Sequence, residues 1–370
     1  MSATSNERVP LEDARTLLID LVSIPSPTRE EREAAERLVE FFEAHDREVW
    51  IDAVGNVRAP ADDSVLLTSH IDTVPGDIPV EVEEREVQRT SDASGKRPRA
   101  ETDEVLWGRG SVDATGPLAA MAAAAVRTGV SFVGVVGEEV DSKGSRYLVD
   151  DRDAVPEAVV NGEPSGTDGI TLGYRGLLAG TYVATSESGH TSRPDPNAIQ
   201  HAVRWWSAVE ERFEGGEYEP VFEQVTTKPV DIDGGVSEDG LSVEATMDIQ
   251  LRVPPALDVE TVREAAEAEL EVGTVTWKDT VPPVMTSPRT EVARAFRVAI
   301  RDVGEEPRLV RKTGTSDMNI FAGAWDCPIA TYGPGNSDLD HAPDERLSLS
   351  EFDQSVEILQ RVATTLSGEH

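Results

Sequence analysis

Four short apolar runs in this 370-residue chain each lead into side chains that can bind a cation. Val65-Leu66-Leu67 leads to His70, Phe132 to Val136 leads to Glu138 and Glu139, Ala158-Val159-Val160 leads to Glu163, and Pro328 to Tyr332 precedes His341. Runs of this length without polar alternation read as strands buried on both faces, the pattern of an α/β sheet. In open α/β sheets, sites form beyond the carboxyl ends of the strands. The chain is therefore expected to gather these side chains at one sheet edge.

The rest of the first and last thirds fits such a sheet. Residues 11–22 and 29–46 carry apolar positions at helical spacing, broken by Ser23-Ile24-Pro25-Ser26-Pro27. Thr115-Gly116-Pro117 opens an alanine-rich helix over 118–128, with proline at a tolerated first-turn position. Helices are expected again over 289–303 and 350–366. Residues 84–104 are polar and charged and read as an exposed loop insertion with no assigned chemistry. From 173 to 283 the pattern changes to strand 177–185, helix 196–213, strands 221–230 and 241–252, helix 258–270 and strand 272–280. The expected organisation is a discontinuous first domain, 1–172 with 284–370, and an inserted α+β domain, 173–283.

Composition narrows the function. The formal net charge is −36, so a nucleic-acid binder, which needs basic patches for phosphate, is excluded. The acidity could steer a cationic substrate, but it is spread along the chain and lysine occurs only at 96, 143, 228, 278 and 312. That distribution reads as adaptation to high salt, where screening removes self-repulsion. Cys327 is the lone cysteine, so neither an intrachain disulfide nor a cysteine-rich metal site is available. Met1 to Val9 lacks an apolar signal core, and Leu118 to Val126 is too short to span a bilayer. A cytoplasmic protein without membrane or nucleic-acid partners is the expectation.

The chemistry rests on five places. In Ser69-His70-Ile71-Asp72, the histidine is a neutral metal ligand and Asp72 is placed to orient its other ring nitrogen. In Gly108-Arg109-Gly110-Ser111-Val112-Asp113, the glycines allow a tight loop that turns Asp113 inward before a helix, although an N-cap is the ordinary use of such an aspartate. The adjacent Glu138 and Glu139 repel unless a cation or solvent compensates them, and they could divide ligation from proton transfer. Asn161-Gly162-Glu163-Pro164 adds a carboxylate, and Asp338-Leu339-Asp340-His341 adds a second imidazole. Each alone has a bland explanation. Together, two histidines and three carboxylates with a spare glutamate suit two zinc-type ions bridged by one carboxylate. The residues by themselves leave open which of Glu139 and Glu163 shares an ion with which histidine.

In this order and over essentially its whole length, the chain resembles the co-catalytic zinc aminoacylases and carboxypeptidases, which include acetylornithine deacetylase and succinyl-diaminopimelate desuccinylase. The resemblance implies a mixed-sheet zinc-exopeptidase catalytic domain with an inserted lid and dimerisation domain. It implies one ion, zinc or alternatively cobalt, on His70, Asp113 and Glu163, and another on Asp113, Glu139 and His341, with Glu138 as general base and Asp72 as a catalytic residue. Ser188 to Pro194 resembles the lid motif whose histidine, here His190, serves the other subunit of a homodimer, and Asn197-Ala198-Ile199 follows it. Arg252 and Gly314-Thr315-Ser316-Asp317 resemble the family's substrate-carboxylate contacts. Gly173-Tyr174-Arg175-Gly176 and Tyr332 to His341 are similar to the subgroup that releases lysine or ornithine from the C-terminal glutamate of a small acidic amino-group carrier protein (LysW). Arg175, Asn197, Arg252 and Thr315 are thereby expected to bind substrate. Thr115 departs from the subgroup, where lysine is usual. The alternatives are a small-molecule deacylase, such as an acetylornithine or succinyl-diaminopimelate enzyme, a dipeptidase or carboxypeptidase, and a non-catalytic metal-dependent scaffold.

Overall fold

The computed structural model describes residues 9–89, 99–216 and 218–368. The chain divides into two compact units, one of residues 1–172, 286–310 and 316–370, the other of 173–285 and 311–315. The first is built on a mixed sheet. Strand Asp62–His70 lies between Val130–Val135 and Val159–Gly162, parallel to both, and Ile329–Thr331 continues parallel beyond Val159–Gly162. Val57–Ala59 adds antiparallel to Val130–Val135. This sheet is the mixed α/β architecture expected from the apolar runs, and helices bury its strands on both faces.

Register decides where the chemistry goes. His70 pairs with Val135, and Ser69 pairs with both Gly134 and Gly162. Parallel strands that end level deliver their following residues to one edge, so His70, Glu138, Glu139 and Glu163 emerge together. Helix Thr115–Thr128 packs against the Asp62–His70 strand and against helices Leu11–Val22 and Leu349–Leu366. Ala119, Ala120 and Ala122 to Ala125 are fully buried along it. Alanine has the highest helix propensity and lets three neighbours approach closely, so an alanine-rich stretch without amphipathic stripe becomes a central helix. It ends at Gly129 in the left-handed conformation (φ 74°), the usual stop.

Residues 84–104 depart from the loop expectation. Glu81–Arg89 and Arg99–Trp107 form an antiparallel ladder, with Arg346–Ser348 on its other side; residues 90–98 lie outside the described chain. Glu81 to Glu86 are exposed or half-exposed, Val82 among them, whereas Val105 and Leu106 at the far end of the ladder are buried; two adjacent apolar residues after a charged run make no period-two signal.

The second unit is a four-stranded antiparallel sheet in the order Thr226–Val236, Ser242–Val253, Gly176–Glu187, Thr274–Val281. Helices Ala198–Arg212 and Val259–Glu267 share its core, where Tyr182 stacks on Trp205 at 4.7 Å. Alternate residues of the two central strands are buried, the period of a sheet covered on one face. The strand expected over 221–230 starts later: Val221–Glu223 is a turn of 3-10 helix, and the ladder slips between Pro229 and Asp231. Proline has no N–H to give the ladder.

Candidate metal centre

His70 closes its strand with its side chain buried, and its Nδ1 lies 2.8 Å from the Asp72 carbonyl. A carbonyl only accepts, so that nitrogen carries the proton and a neutral His70 turns a lone pair outward at Nε2. Nε2 faces Asp113 Oδ1 at 3.2 Å and Glu163 Oε1 at 3.8 Å. A lone pair aimed at two carboxylates is repulsive unless a cation lies between them. Asp113 comes from the turn after Gly108 and Gly110, both at positive φ. A Cβ on Gly110 would sit 2.6 Å from Thr73 Cγ2 and 2.8 Å from Thr115 Oγ1, so the tight turn requires glycine.

The other oxygen of Asp113 points the opposite way. Oδ2 is 3.2 Å from His341 Nε2, which is also 3.1 Å from Glu139 Oε2. His341 itself sits at φ 60°, a left-handed backbone that a non-glycine residue adopts at some cost in strain. Two groups thus form, His70–Asp113–Glu163 and Asp113–Glu139–His341, each with ligand atoms within 4.8 Å of one another. Asp113 belongs to both. Tetrahedral coordination with bonds of about 2.0–2.2 Å separates its donors by roughly 3.3–3.6 Å, and the histidine–carboxylate separations here run from 3.1 to 3.8 Å. The donor set of imidazole and carboxylate without thiolate fits a pair of zinc-type divalent ions.

Electrostatics point the same way. Burial works against a charged His70, yet its contact with Asp113 and the nearby Glu163 and Glu138 carboxylates outweigh it and hold its pKa well above the ordinary value. His341 is pushed up to about 10 by Asp113 and Glu139. Glu138 is held well above the usual carboxylate range by desolvation and by Glu163. The cluster takes up protons to offset crowded negative charge, and two divalent cations would do the same.

Several residues brace these ligands. The Asp72 carboxylate, fully buried, lies 3.7 Å from His70 Nδ1. The orienting bond to that ring comes from the Asp72 carbonyl rather than from the carboxylate expected for it. The carboxylate instead accepts the N–H of Glu138 (3.0 Å), the N–H of Glu139 (3.1 Å) and the Thr28 hydroxyl (2.8 Å). Asp72 thereby anchors the loop of the two adjacent glutamates. Buried Asp317 accepts the Ser145 hydroxyl at 2.6 Å, and desolvation raises its pKa to about 6. Glu345, buried behind the Asp113 loop, accepts the N–H groups of Val112 (2.9 Å) and Asp113 (3.1 Å). Nothing in the sequence singles out Thr28, Ser145 or Glu345. Glu345 meets Asp113 across 232 positions, a pairing that no local spacing encodes.

The remaining expected residues belong to the second unit. His190 is exposed, its Nδ1 2.8 Å from Ser192 Oγ. Asn197 caps helix Ala198–Arg212 in a reciprocal pair with Gln200. The buried Arg175 donates to the carbonyls of Thr313, Val221 and Gln224 and to the Thr226 hydroxyl. Arg252 donates to Thr315 Oγ1 at 3.2 Å.

Known proteins agree in length and order with this chain. A protein of Pyrococcus abyssi with the provisional name LysW-lysine/LysW-ornithine hydrolase is 36% identical over 368 residues, 98% of this chain and 96% of its own length. A LysW-lysine hydrolase of Deinococcus radiodurans is 37% identical over 96% of this chain and 97% of its own. Among solved structures, the M20 family metallo-carboxypeptidase Sso-CP2 of Sulfolobus solfataricus shares the fold with a TM-score of 0.75 at 19% identity, covering 96% of this chain and 99% of that one. The profile of peptidase family M20/M25/M40 matches residues 66–365, a span that opens at the His70 strand and runs past His341 into the last helix. With that match and those relatives, the chain belongs to peptidase family M20/M25/M40.

Proposed function

We propose that this protein is a two-metal hydrolase that releases lysine or ornithine from the amide linking it to a carrier protein. The observation that carries the chemistry is Asp113, whose two carboxylate oxygens face two different histidines at 3.2 Å each. The substrate follows from relatives matched over nearly the full chain, whose names specify LysW-linked lysine and ornithine.

In this reading His70, Asp113 and Glu163 hold one zinc or cobalt ion and Asp113, Glu139 and His341 hold the other. When bound, the ions acidify a water and polarise the amide carbonyl. Glu138, partly buried beside Glu139 and Glu163, accepts the proton of the attacking water and returns it to the leaving amine. Desolvation and Glu163 hold its pKa well above the usual carboxylate range, which supports a role as proton acceptor. Asp72 holds the Glu138 backbone in place, which anchors the point from which its side chain extends. Arg252, with Thr315 beside it, offers the fork that suits the carboxylate of the released amino acid. Arg175 and Asn197 complete this reading as supports of the substrate-binding segments. A homodimer, with His190 donated in trans to the oxyanion, is supported by the resemblance of Ser188 to Pro194 to the family's lid motif. Among the described residues no helix is long and apolar enough to cross a membrane.

The test incubates purified protein in high salt with carrier–lysine, carrier–ornithine and acetylornithine, each with and without chelator. Release from the carrier, abolished by chelator and restored by zinc or cobalt, is expected. Cleavage of acetylornithine alone would replace the reading with a small-molecule deacylase. Metal uptake without cleavage of any of the three would leave a binding protein.

A further inference from the structure

The loops that carry Asp113 and His341 grip one another reciprocally. From the first, Arg109 Nη1 donates to Glu345 Oε2 at 2.7 Å and to the Ala342 carbonyl at 3.2 Å. From the second, Glu345 Oε1 accepts the N–H groups of Val112 and Asp113, and the Glu345 carbonyl accepts the Gly108 N–H at 3.4 Å. Glu345 is 1% exposed. Desolvating a carboxylate is unfavourable, and here a guanidinium and two peptide N–H groups offset part of that cost. Each end of the contact is one step from a ligand side chain: Ala342 follows His341 directly, and one of the accepted N–H groups is that of Asp113 itself.

We infer that Arg109 and Glu345 form a clasp that fixes the spacing of Asp113 and His341 and so sets the affinity for both metal ions. They are positioning residues, since neither belongs to either candidate ligand group. Asp113 presents one oxygen to each group at 3.2 Å. A loop that drifts must spoil both contacts at once. Groups that orient metal ligands from behind contribute about 10–100-fold in affinity. The inference rests on the two-metal reading above.

The test is titration of ion-free protein with zinc against a competing chromophoric chelator, resolving two dissociation constants. Glu345→Gln keeps the volume but removes the charge. Arg109→Lys keeps the charge on a shorter side chain without the rigid planar guanidinium. Both variants are expected to weaken both constants, Glu345→Gln by about 10–100-fold and Arg109→Lys by less. His341→Ala, the control, weakens only one. Circular dichroism and thermal unfolding of the ion-free proteins report folding, and Arg109→Lys carries the comparison if Glu345→Gln does not fold. A folded clasp variant with parental constants, or with only one constant changed, overturns the clasp. A parent protein that binds no zinc overturns the two-metal reading instead.

Discussion

Replacing Asp72 by asparagine changes one atom of a fully buried side chain and leaves its volume intact, so the outcome depends on hydrogen bonds alone. In the parent, Oδ1 accepts the Glu138 N–H, while Oδ2 accepts the Glu139 N–H and the Thr28 hydroxyl. Asparagine has one acceptor oxygen. Turned toward Glu139 and Thr28, it sets its NH2 against the Glu138 N–H; flipped, it sets it against the Glu139 N–H. Either way one peptide N–H loses its acceptor in a dry site, at about 1–3 kcal/mol. The surviving bonds lose their charge assistance, roughly another 1 kcal/mol in all. The sum is about 2–4 kcal/mol. For a unit of this size, melting shifts by roughly 2–4 °C per kcal/mol, so ion-free Asp72→Asn should melt at least about 4 °C lower. The same loop carries Glu138, the proposed general base, and displacing it by an ångström costs on the order of 10²-fold in kcat. Scanning calorimetry of chelated protein and steady-state release of lysine from the carrier measure the two effects. A melting point within about 1 °C of the parent, with kcat unchanged, would refute the anchoring role.

Glu138→Gln should retain two zinc ions by elemental analysis while kcat falls by about 10²–10⁴-fold, the contribution of a positioned general base; near-normal turnover removes Glu138 from that role. His341→Ala takes the only imidazole from one group and should bind one ion where the parent binds two, as read by dialysis and mass spectrometry; two retained ions would show that His341 is not a ligand. Asp317, whose pKa burial raises from 3.8 to about 6, gives a pH test. A carboxyl raised on folding adds stability that is present below the unfolded pKa and lost as pH rises through the folded one. Asp317→Asn removes that dependence, so in ion-free protein its stability relative to the parent should rise by roughly 2 kcal/mol from pH 4 to pH 7. Urea unfolding at both values checks it, and a constant difference would show that Asp317 titrates normally.

The site was legible in the sequence to different depths. His70, Glu138, Glu139 and Glu163 stand out because each follows an apolar run, and a strand buried on both faces announces where it ends. Asp113 was ambiguous, since an aspartate before a helix is usually a cap. The resemblance implied its place in both groups, and the loop that turns its two oxygens apart supplies the geometry. The ladder of Glu81–Arg89 and Arg99–Trp107 left no mark, because Glu81 to Glu86 are mostly exposed and the buried Val105 and Leu106 stand together at one end without a period.

Residue order alone therefore pointed to the class of fold and to the candidate ligands, because burial and local spacing write themselves into consecutive residues. Three-dimensional packing decided the rest: how the two oxygens of Asp113 are turned apart, that the Asp72 carboxylate secures the Glu138–Glu139 loop, and that Glu345 lies behind Asp113. Those contacts join residues separated by 43 to 232 positions. Their geometry is set by strand register and loop closure, which depend on the whole core and not on any stretch of chain.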